Sequence, residues 1–228
     1  MSLSELEKNN FMINIRETAD QKIFISSDFH LNHDPKWEVP IWKLRGFNSA
    51  IEMTNGIIDS INDTVRSNDI LFFLGDLCLT TSLSQFEELI SRIQCQNIYM
   101  LFGNHPNPHY KSIYVPMVKQ LMGNNYSADM EVYPLRYKNI IYIGHYAEVI
   151  LNGQMVVLSH YALRSWNYMS DGGWCLHGHE HGAIPESGPD GITSKILDVA
   201  WDTFRRPLGI SEIQTIMNKK QITSVGHH

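Results

Sequence analysis

The sequence predicts an α/β fold whose first half is built on parallel strands, and three observations support this prediction. Residues 71–74 form an unbroken apolar run, which is typical of a strand buried on both faces. Similar runs at residues 22–27 and 97–102 alternate with helical patterns, which favours parallel strands joined by helices. The pair Asn152 and Gly153 between two later apolar runs predicts a β-hairpin with a type I′ turn.

The segments outside this parallel core give weaker patterns. Residues 1–20 are polar and predict a short helix or a lead-in arm, whereas residues 31–47 contain prolines and tryptophans without periodicity and predict a long ordered loop. The remaining predicted strands are residues 140–143, 148–151, 155–158 and 196–200.

Three helices are predicted between the strands. Asn48 can cap a helix that runs to about Val65, with isoleucines 51, 57, 58 and 61 on one face. A capping box of Ser84 and Glu87 predicts a second helix that ends near residue 95. Residues 107–122 predict a third helix, which Pro116 interrupts or kinks.

The composition limits the class of protein. A chain of 228 residues with 43% hydrophobic residues predicts one domain over residues 1–225, and residues 226–228 resemble the remnant of a purification tag. The net charge of -6 disfavours tight nonspecific binding to nucleic acid, because phosphate contacts need clustered lysine and arginine. A small phosphate-ester substrate is compatible with this charge.

Cysteine usage and hydropathy indicate a cytoplasmic, soluble protein without a membrane partner. The three cysteines, Cys78, Cys95 and Cys175, are widely spaced and odd in number, so we expect buried free thiols rather than disulfides or a cysteine zinc site. No apolar run approaches the roughly 20 residues that span a bilayer, and the N-terminal residues carry no signal-peptide pattern. The sequence does not specify an oligomeric state.

Polar side chains follow the predicted strands at the points where the strands end. Asp28, His30, Asp76, Asn104 and His160 all occupy such positions. The carboxyl ends of parallel strands meet at one crevice, so we expect these side chains to converge. A buried carboxylate such as Asp76 needs a cation or several donors, and mixed oxygen and imidazole ligands suit a divalent ion.

Two more histidines, His179 and His181, lie two residues apart and face the same side of an extended segment. Alone they are compatible with an exposed polar turn, and Asp28 with His30 alone is compatible with a hydrogen-bonded loop. The presence of all these motifs in one order, each after a predicted strand, favours a shared metal centre.

Taken together, the motifs resemble the signature of the calcineurin-like metallophosphoesterase family, in particular its small phage and bacterial members, over about residues 23–200. The motifs are Asp28-x-His30, Gly75-Asp76, Gly103-Asn104-His105, His160 and Gly178-His179-x-His181. The resemblance implies a four-layer α-β-β-α sandwich of two mixed β-sheets flanked by helices. It also implies a metal-dependent phosphoric ester hydrolase with two divalent ions, whether manganese, iron, zinc or nickel. The implied ligands are Asp28, His30 and His181 for one ion, Asn104, His160 and His179 for the other, and Asp76 as the bridge.

The resemblance further implies direct attack on phosphorus by a hydroxide that bridges the two ions. Asp76 and His105 would be the catalytic residues, with His105 protonating the leaving alkoxide or steadying the phosphate. Pro106 stands where the family usually has an acidic residue that orients this histidine, so His105 should lack its usual partner or use another carboxylate. The absence of an arginine after Asp76 disfavours protein phosphatase activity.

Substrate-binding residues are predicted less specifically. Arg164 is a candidate phosphate clamp because its planar guanidinium matches phosphate oxygens, although a surface arginine is the alternative. Asn32, His33 and Trp37 follow the first metal motif and are expected near the substrate entrance. A diester is slightly favoured, because a domain without a cap leaves the cleft open. The alternatives are a phosphomonoesterase, a nucleotide pyrophosphohydrolase, or a scaffold protein with weak turnover that keeps the fold.

Overall fold

The computed structural model describes residues 12–35, 38–79, 82–105, 110–128 and 130–223, and two mixed β-sheets form its centre. The strands are β1 (Ile13–Ile15), β2 (Ile23–Ser26), β3 (Ile70–Phe73), β4 (Asn97–Leu101), β5 (Leu135–Tyr137), β6 (Ile140–Gly144), β7 (Tyr146–Leu151), β8 (Gln154–Ser159), β9 (Trp174–His177), β10 (Ile196–Asp198) and β11 (Leu208–Gly209). The helices are α1 (Ile41–Leu44), α2 (Ala50–Thr64), α3 (Leu83–Arg92), α4 (Val115–Met122), α5 (Trp201–Phe204) and α6 (Ile210–Lys219).

The six-stranded sheet has the order β11-β2-β3-β4-β6-β5. Its four central strands, β2, β3, β4 and β6, are parallel, which confirms the prediction for the first half of the chain. The two edge strands run antiparallel to their neighbours. All four residues of β3 are buried, as its unbroken apolar sequence predicts for a strand covered on both faces.

The five-stranded sheet has the order β1-β7-β8-β9-β10. Strands β7 and β8 form the predicted hairpin, in which Leu151 pairs with Gln154. Asn152 and Gly153 have φ angles of 51° and 87°, so both turn residues adopt the left-handed conformation that a type I′ turn requires. This hairpin prediction is confirmed.

The N-terminal prediction is wrong where the structure describes it. Residues 13–15 form strand β1, which pairs in parallel with β7, rather than a short helix or a lead-in arm. Ile13 and Ile15 pack against the apolar core between the sheets, so a distant partner determines the conformation of this short segment. Residues 1–11 lie outside the described residues.

Apolar side chains fill two layers, one between the sheets and one beneath the helices. Phe72 and Leu158 belong to the layer between the sheets, which helix α6 also joins. The second layer lies on the other face of the six-stranded sheet, where α2, α3 and α4 cover it. The predicted arrangement of two mixed sheets flanked by helices is confirmed.

The start of helix α2 differs from the prediction by one cap residue. The hydroxyl of Ser49, not the side chain of Asn48, accepts the backbone N–H of Glu52 at 3.1 Å. Ile51 is 70% exposed and lies off the predicted apolar face, whereas isoleucines 57, 58 and 61 are buried. The helix therefore presents a narrower apolar stripe than the sequence suggests.

The capping box predicted for the second helix is wrong. The hydroxyl of Ser82 caps α3 by accepting the N–H of Gln85 at 3.3 Å. Glu87 instead accepts hydrogen bonds from Lys138 and Tyr137, so a contact distant in sequence uses the side chain that the box would need.

The third predicted helix is described from Tyr110 onward, and residues 107–109 lie outside the described residues. Pro116 does not interrupt it. A π-helical turn at Tyr110–Tyr114 leads into α4, and Pro116 lies in the first turn of α4, where its missing N–H is not needed. The described part of the predicted loop at residues 31–47 contains one short helix, α1. The three cysteines, all within the described residues, are buried and form no disulfide, as predicted. None of the helices in the described ranges combines the length and the apolar character that a bilayer crossing requires.

Candidate metal centre

The predicted ligands come together where strands of both sheets end. Asp28 and His30 follow β2, Asp76 follows β3, and Asn104 follows β4, so the carboxyl ends of three adjacent parallel strands supply one side. The other sheet supplies the rest: His160 follows β8, and His179 and His181 follow β9. The topology thus brings residues from positions 28 to 181 into one crevice.

One group of ligand atoms surrounds the carboxylate of Asp28. Its Oδ1 lies 3.6 Å from Nε2 of His30 and 3.7 Å from Nε2 of His181. Nε2 of His30 also lies 3.9 Å from Oδ2 of Asp76. The two imidazole rings are stacked with centroids 5.2 Å apart. The ligand atoms of Asp28, His30 and His181 are close enough together to hold one ion.

A second group lies on the other side of Asp76. Oδ2 of Asp76 is 3.4 Å from Nε2 of His160. Oδ1 of Asn104 lies 2.6 Å from the same imidazole nitrogen and 2.9 Å from Nδ1 of His179. Asp76 therefore stands between both groups, where a bridging ligand would stand. The assignment of individual ligands to two ions stays a prediction.

Two buried atoms show that these residues fit a divalent cation. Oδ1 of Asp28 and Nε2 of His30 have no hydrogen-bond partner among the described residues. An unpaired buried polar atom is unfavourable, and a metal ion would satisfy both atoms at once. Nδ1 of His160 lies 2.9 Å from the carbonyl oxygen of Leu74, which it can meet as a donor, so its Nε2, beside Asn104 and Asp76, is the atom that would bind an ion.

The electrostatics of the group favour ionised carboxylates and a neutral His30. Burial would raise the pKa of Asp28, but the nearby imidazoles of His30, His160 and His181 outweigh this effect and lower the pKa to about 2. The pKa of Asp76 is also lowered against the effect of burial, mainly through His160. Burial lowers the pKa of His30. Anionic oxygens and neutral imidazole are the forms that bind metal ions.

The backbone at the centre is unusual. Six residues other than glycine have positive φ angles between 50° and 68° here, namely Asp28, His30, Asn32, Asp76, His179 and His181. Such left-handed conformations are unfavourable by roughly 1–2 kcal/mol per residue and concentrate at functional sites. The loops therefore direct these side chains toward the centre in backbone conformations that are less stable than the usual ones.

Glycines beside these residues permit the close approach. A Cβ atom on Gly103 would overlap the carboxylate of Asp76, and one on Gly178 would overlap Ser27 and the carboxylate of Asp28. Asp28 Oδ2 accepts the N–H of His179 at 2.8 Å, and Asp76 Oδ1 accepts the N–H of His105 at 3.1 Å. Backbone contacts thus hold the two carboxylates in place.

Two residues that the sequence reasoning missed support the first group. Asp202, at the second position of α5, accepts a hydrogen bond from Nδ1 of His181 at 2.5 Å. Arg45 donates to the same carboxylate at 2.6 and 2.9 Å and also to the carbonyl oxygens of Asp28 and Phe29. This link ties the first and the last metal motif together. Asp202 follows the end of β10 by four residues, so the strand-end rule could have suggested it.

His105 lies at the open side of the centre. Its side chain is 35% exposed, and its Nε2 is 3.8 Å from Oδ2 of Asp76. Its ring contacts the ring of His30 edge-on at 5.0 Å. Asp76 is the carboxylate that the described residues bring within 4 Å of His105, and Pro106 lies outside those residues.

The three predicted substrate-binding residues are placed differently. His33 is buried, contacts the rings of His30 and His105, and accepts the N–H of Ile41 at Nδ1 over 3.3 Å. Asn32 has its side-chain oxygen 3.3 Å from the hydroxyl of Thr54, which anchors α2. Arg164 is exposed and has no hydrogen bond or ion pair with a residue in the described ranges. Trp37 lies outside them. Of the three, the structure brings His33 into contact with the centre.

The fold and the centre define a class: an α/β protein with histidine and aspartate ligands gathered at the strand ends of two mixed sheets. The family model of the calcineurin-like phosphoesterases matches residues 21–195, and the chain belongs to this family. The predicted family resemblance is therefore confirmed, and membership indicates metal-dependent hydrolysis of phosphate esters.

Two relatives extend this comparison. The chain is 26% identical over 161 residues to the uncharacterized protein MJ1445 of Methanocaldococcus jannaschii, covering 71% of this chain and 70% of that protein. A solved structure, the protein of unknown function AQ665 from Aquifex aeolicus, matches with a TM-score of 0.57 and 14% identity over 86% of this chain and 100% of that one. The latter likeness supports the fold alone.

Proposed function

We propose that this protein hydrolyses a phosphate ester, with a slight preference for diesters, by means of two divalent metal ions. One observation carries the proposal: the buried carboxylate of Asp76 stands between two groups of imidazoles. Its Oδ2 lies 3.9, 3.8 and 3.4 Å from Nε2 of His30, His105 and His160. A carboxylate in this position supports two neighbouring ions.

The ions, when bound, would supply a hydroxide nucleophile near neutral pH and would offset the negative charge of the phosphoryl oxygens. The residues of the chain complete the reaction. Asp28 and Asp76 are ionised, and His30 is neutral, so they can bind cations without first losing a proton. His105 has a partly exposed imidazole beside Asp76 and can donate a proton to the leaving oxygen as its bond to phosphorus breaks.

The preference for a diester rests on the open side of the centre. Asn104 is exposed, and His105 is 35% exposed, so the described residues leave room for a second ester group beside the reacting one. This open side favours a substrate with two organic groups.

The test is hydrolysis by protein reconstituted separately with manganese, iron, zinc or nickel. We expect bis-p-nitrophenyl phosphate to be cleaved with at least one metal, and p-nitrophenyl phosphate to be cleaved with a lower kcat/KM. The Asn104→Ala variant should lower kcat/KM by at least about 10- to 100-fold, since it removes one predicted metal ligand and loss of a merely supporting residue already costs that much. Asn124→Ala, an exposed asparagine in the turn after α4, is the matched control and should leave both rates unchanged.

Metal content distinguishes the proposal from a scaffold that keeps the fold. Fully loaded protein that cleaves neither substrate with any of the four metals would contradict the proposal and favour the scaffold. An Asn104→Ala variant with unchanged metal content and unchanged activity would show that the predicted ligand set is wrong.

A further inference from the structure

A cavity of about 280 Å³ adjoins the metal centre on the side of His105. Asn104 and His105 form the end of the cavity nearest to the metal ligands, and Phe102, Tyr110, Lys111 and His145 line the rest. Complete ligand sites usually enclose about 300–1,000 Å³. The cavity is therefore large enough for one ring of a substrate, next to the place where the phosphate would be bound.

The walls of this cavity are flat and aromatic. The Tyr110 ring meets the ring of Phe102 edge-on at 4.9 Å and stacks on Tyr114 at 5.4 Å. The His145 ring lies 5.2 Å from the ring of Phe102. Phe102 and Tyr114 are buried. Tyr110 is thus supported on two sides by fixed rings, which makes it a suitable surface for stacking another aromatic ring.

One positive charge at this cavity has no acidic partner among the described residues. Lys111 is exposed and forms no ion pair with a residue in the part of the chain that the structure describes. His145, in contrast, lies 3.4 Å from Glu131, whose carboxylate forms an ion pair with the imidazole when His145 is protonated. Lys111 is therefore available for an anionic group that extends beyond the ring.

From these contacts we infer that the cavity binds the leaving group of the substrate, and that this group is an aromatic ring that carries a second anion. The ring stacks on Tyr110, and the second anion pairs with Lys111. The inference rests on the proposed function in one respect, which is that the ester phosphate lies beside Asn104 and His105. It narrows the substrate class to aryl or nucleotide-like esters and disfavours esters of aliphatic alcohols.

Three phosphonates that cannot be hydrolysed test the inference by calorimetry on manganese-loaded protein. Methylphosphonate lacks a ring, phenylphosphonate adds the ring, and 4-carboxyphenylphosphonate adds the second anion. We expect the ring to tighten binding roughly 5- to 100-fold, as ring stacking does elsewhere. The carboxylate should add roughly two- to fivefold, because the ion pair with Lys111 is exposed.

Variants assign each gain to its residue. Tyr110→Leu should abolish the gain from the ring, whereas Tyr110→Phe should retain it. Lys111→Gln should abolish the gain from the carboxylate, and Lys119→Gln, a cation of α4 outside the cavity, should retain both. Because Lys111 is exposed, its variant should fold even if Tyr110→Leu does not.

The outcomes separate this inference from the proposed function. Equal affinity for all three phosphonates, or gains that survive in both Tyr110→Leu and Lys111→Gln, would overturn the inference even if the protein cleaves bis-p-nitrophenyl phosphate. The expected gains and losses in a protein that cleaves no ester would support the binding site and contradict the proposed function alone.

Discussion

The link from Arg45 through Asp202 to His181 gives the most specific prediction. In Asp202→Asn, the side chain keeps its shape but loses the negative charge of the carboxylate that accepts the hydrogen bond from Nδ1 of His181. Loss of such a supporting carboxylate typically weakens metal binding 10- to 100-fold. Because the bond is 2.5 Å long and the Asp202 side chain is 17% exposed, we expect the upper half of that range, about 2–2.7 kcal/mol.

The same variant should destabilise the metal-free protein through a different residue. The Arg45 side chain is 1% exposed and would lose its counter-charge. Breaking a fully buried pair costs about 3–5 kcal/mol. Since Asp202 is partly exposed and asparagine retains one acceptor oxygen, we expect the free energy of unfolding to fall by about 2–3 kcal/mol.

Calorimetric titration of metal-free protein with manganese measures the first effect, and urea unfolding measures the second. Glu212→Gln is the matched control, because Glu212 also accepts two hydrogen bonds from one arginine, Arg206, but its side chain is 45% exposed. Its effect on stability should stay below about 1 kcal/mol, and metal affinity should not change. Metal affinity of Asp202→Asn within twofold of the parent protein would refute the role assigned to this link.

Three further predictions concern the centre and the core. In Gly103→Ala the new methyl group would overlap Asp76, so the amount of bound metal measured by mass spectrometry should fall at least tenfold. Gly56→Ala is the control, because its methyl group would meet only the side chain of Phe47, and this variant should bind metal normally. Burial lowers the pKa of His33 to about 4, so His33 takes up a proton at a higher pH in the unfolded chain than in the folded protein. The free energy of unfolding of metal-free protein should therefore fall as the pH drops from about 6.5 to about 4. Urea unfolding of His33→Asn should show a weaker pH dependence over that range. Phe72→Ala, at a fully buried position between the sheets, should lower the free energy of unfolding by about 3–5 kcal/mol, and a loss below 1 kcal/mol would contradict the described packing.

Local sequence patterns predicted the elements whose cause is local. The apolar run of β3 and the pair Asn152 and Gly153 each contain the signal for their own structure, and the parallel strands and the hairpin follow from them. The polar residues after strand ends were also readable, because topology alone brings strand ends together. The convergence of Asp28 and His160 therefore needed no knowledge of side-chain geometry.

The features that the sequence did not reveal depend on distant partners. Strand β1 has only three residues and forms because β7 lies beside it. Helices α2 and α3 are capped by Ser49 and Ser82 rather than by the predicted residues, and Glu87 accepts a hydrogen bond from Lys138 instead of completing a capping box. Arg45 and Asp202 are 157 positions apart, and no spacing pattern relates them.

The left-handed residues around the ligands set a limit on how this protein can be improved. At those six positions a glycine would relieve the backbone, yet at five of them it would also delete a predicted metal ligand. At these five positions a mutation to glycine that raises thermal stability would therefore also remove a predicted metal ligand. A descendant of this chain that no longer needed its metals would be expected to lose these strained side chains first, and such losses would mark the change of role.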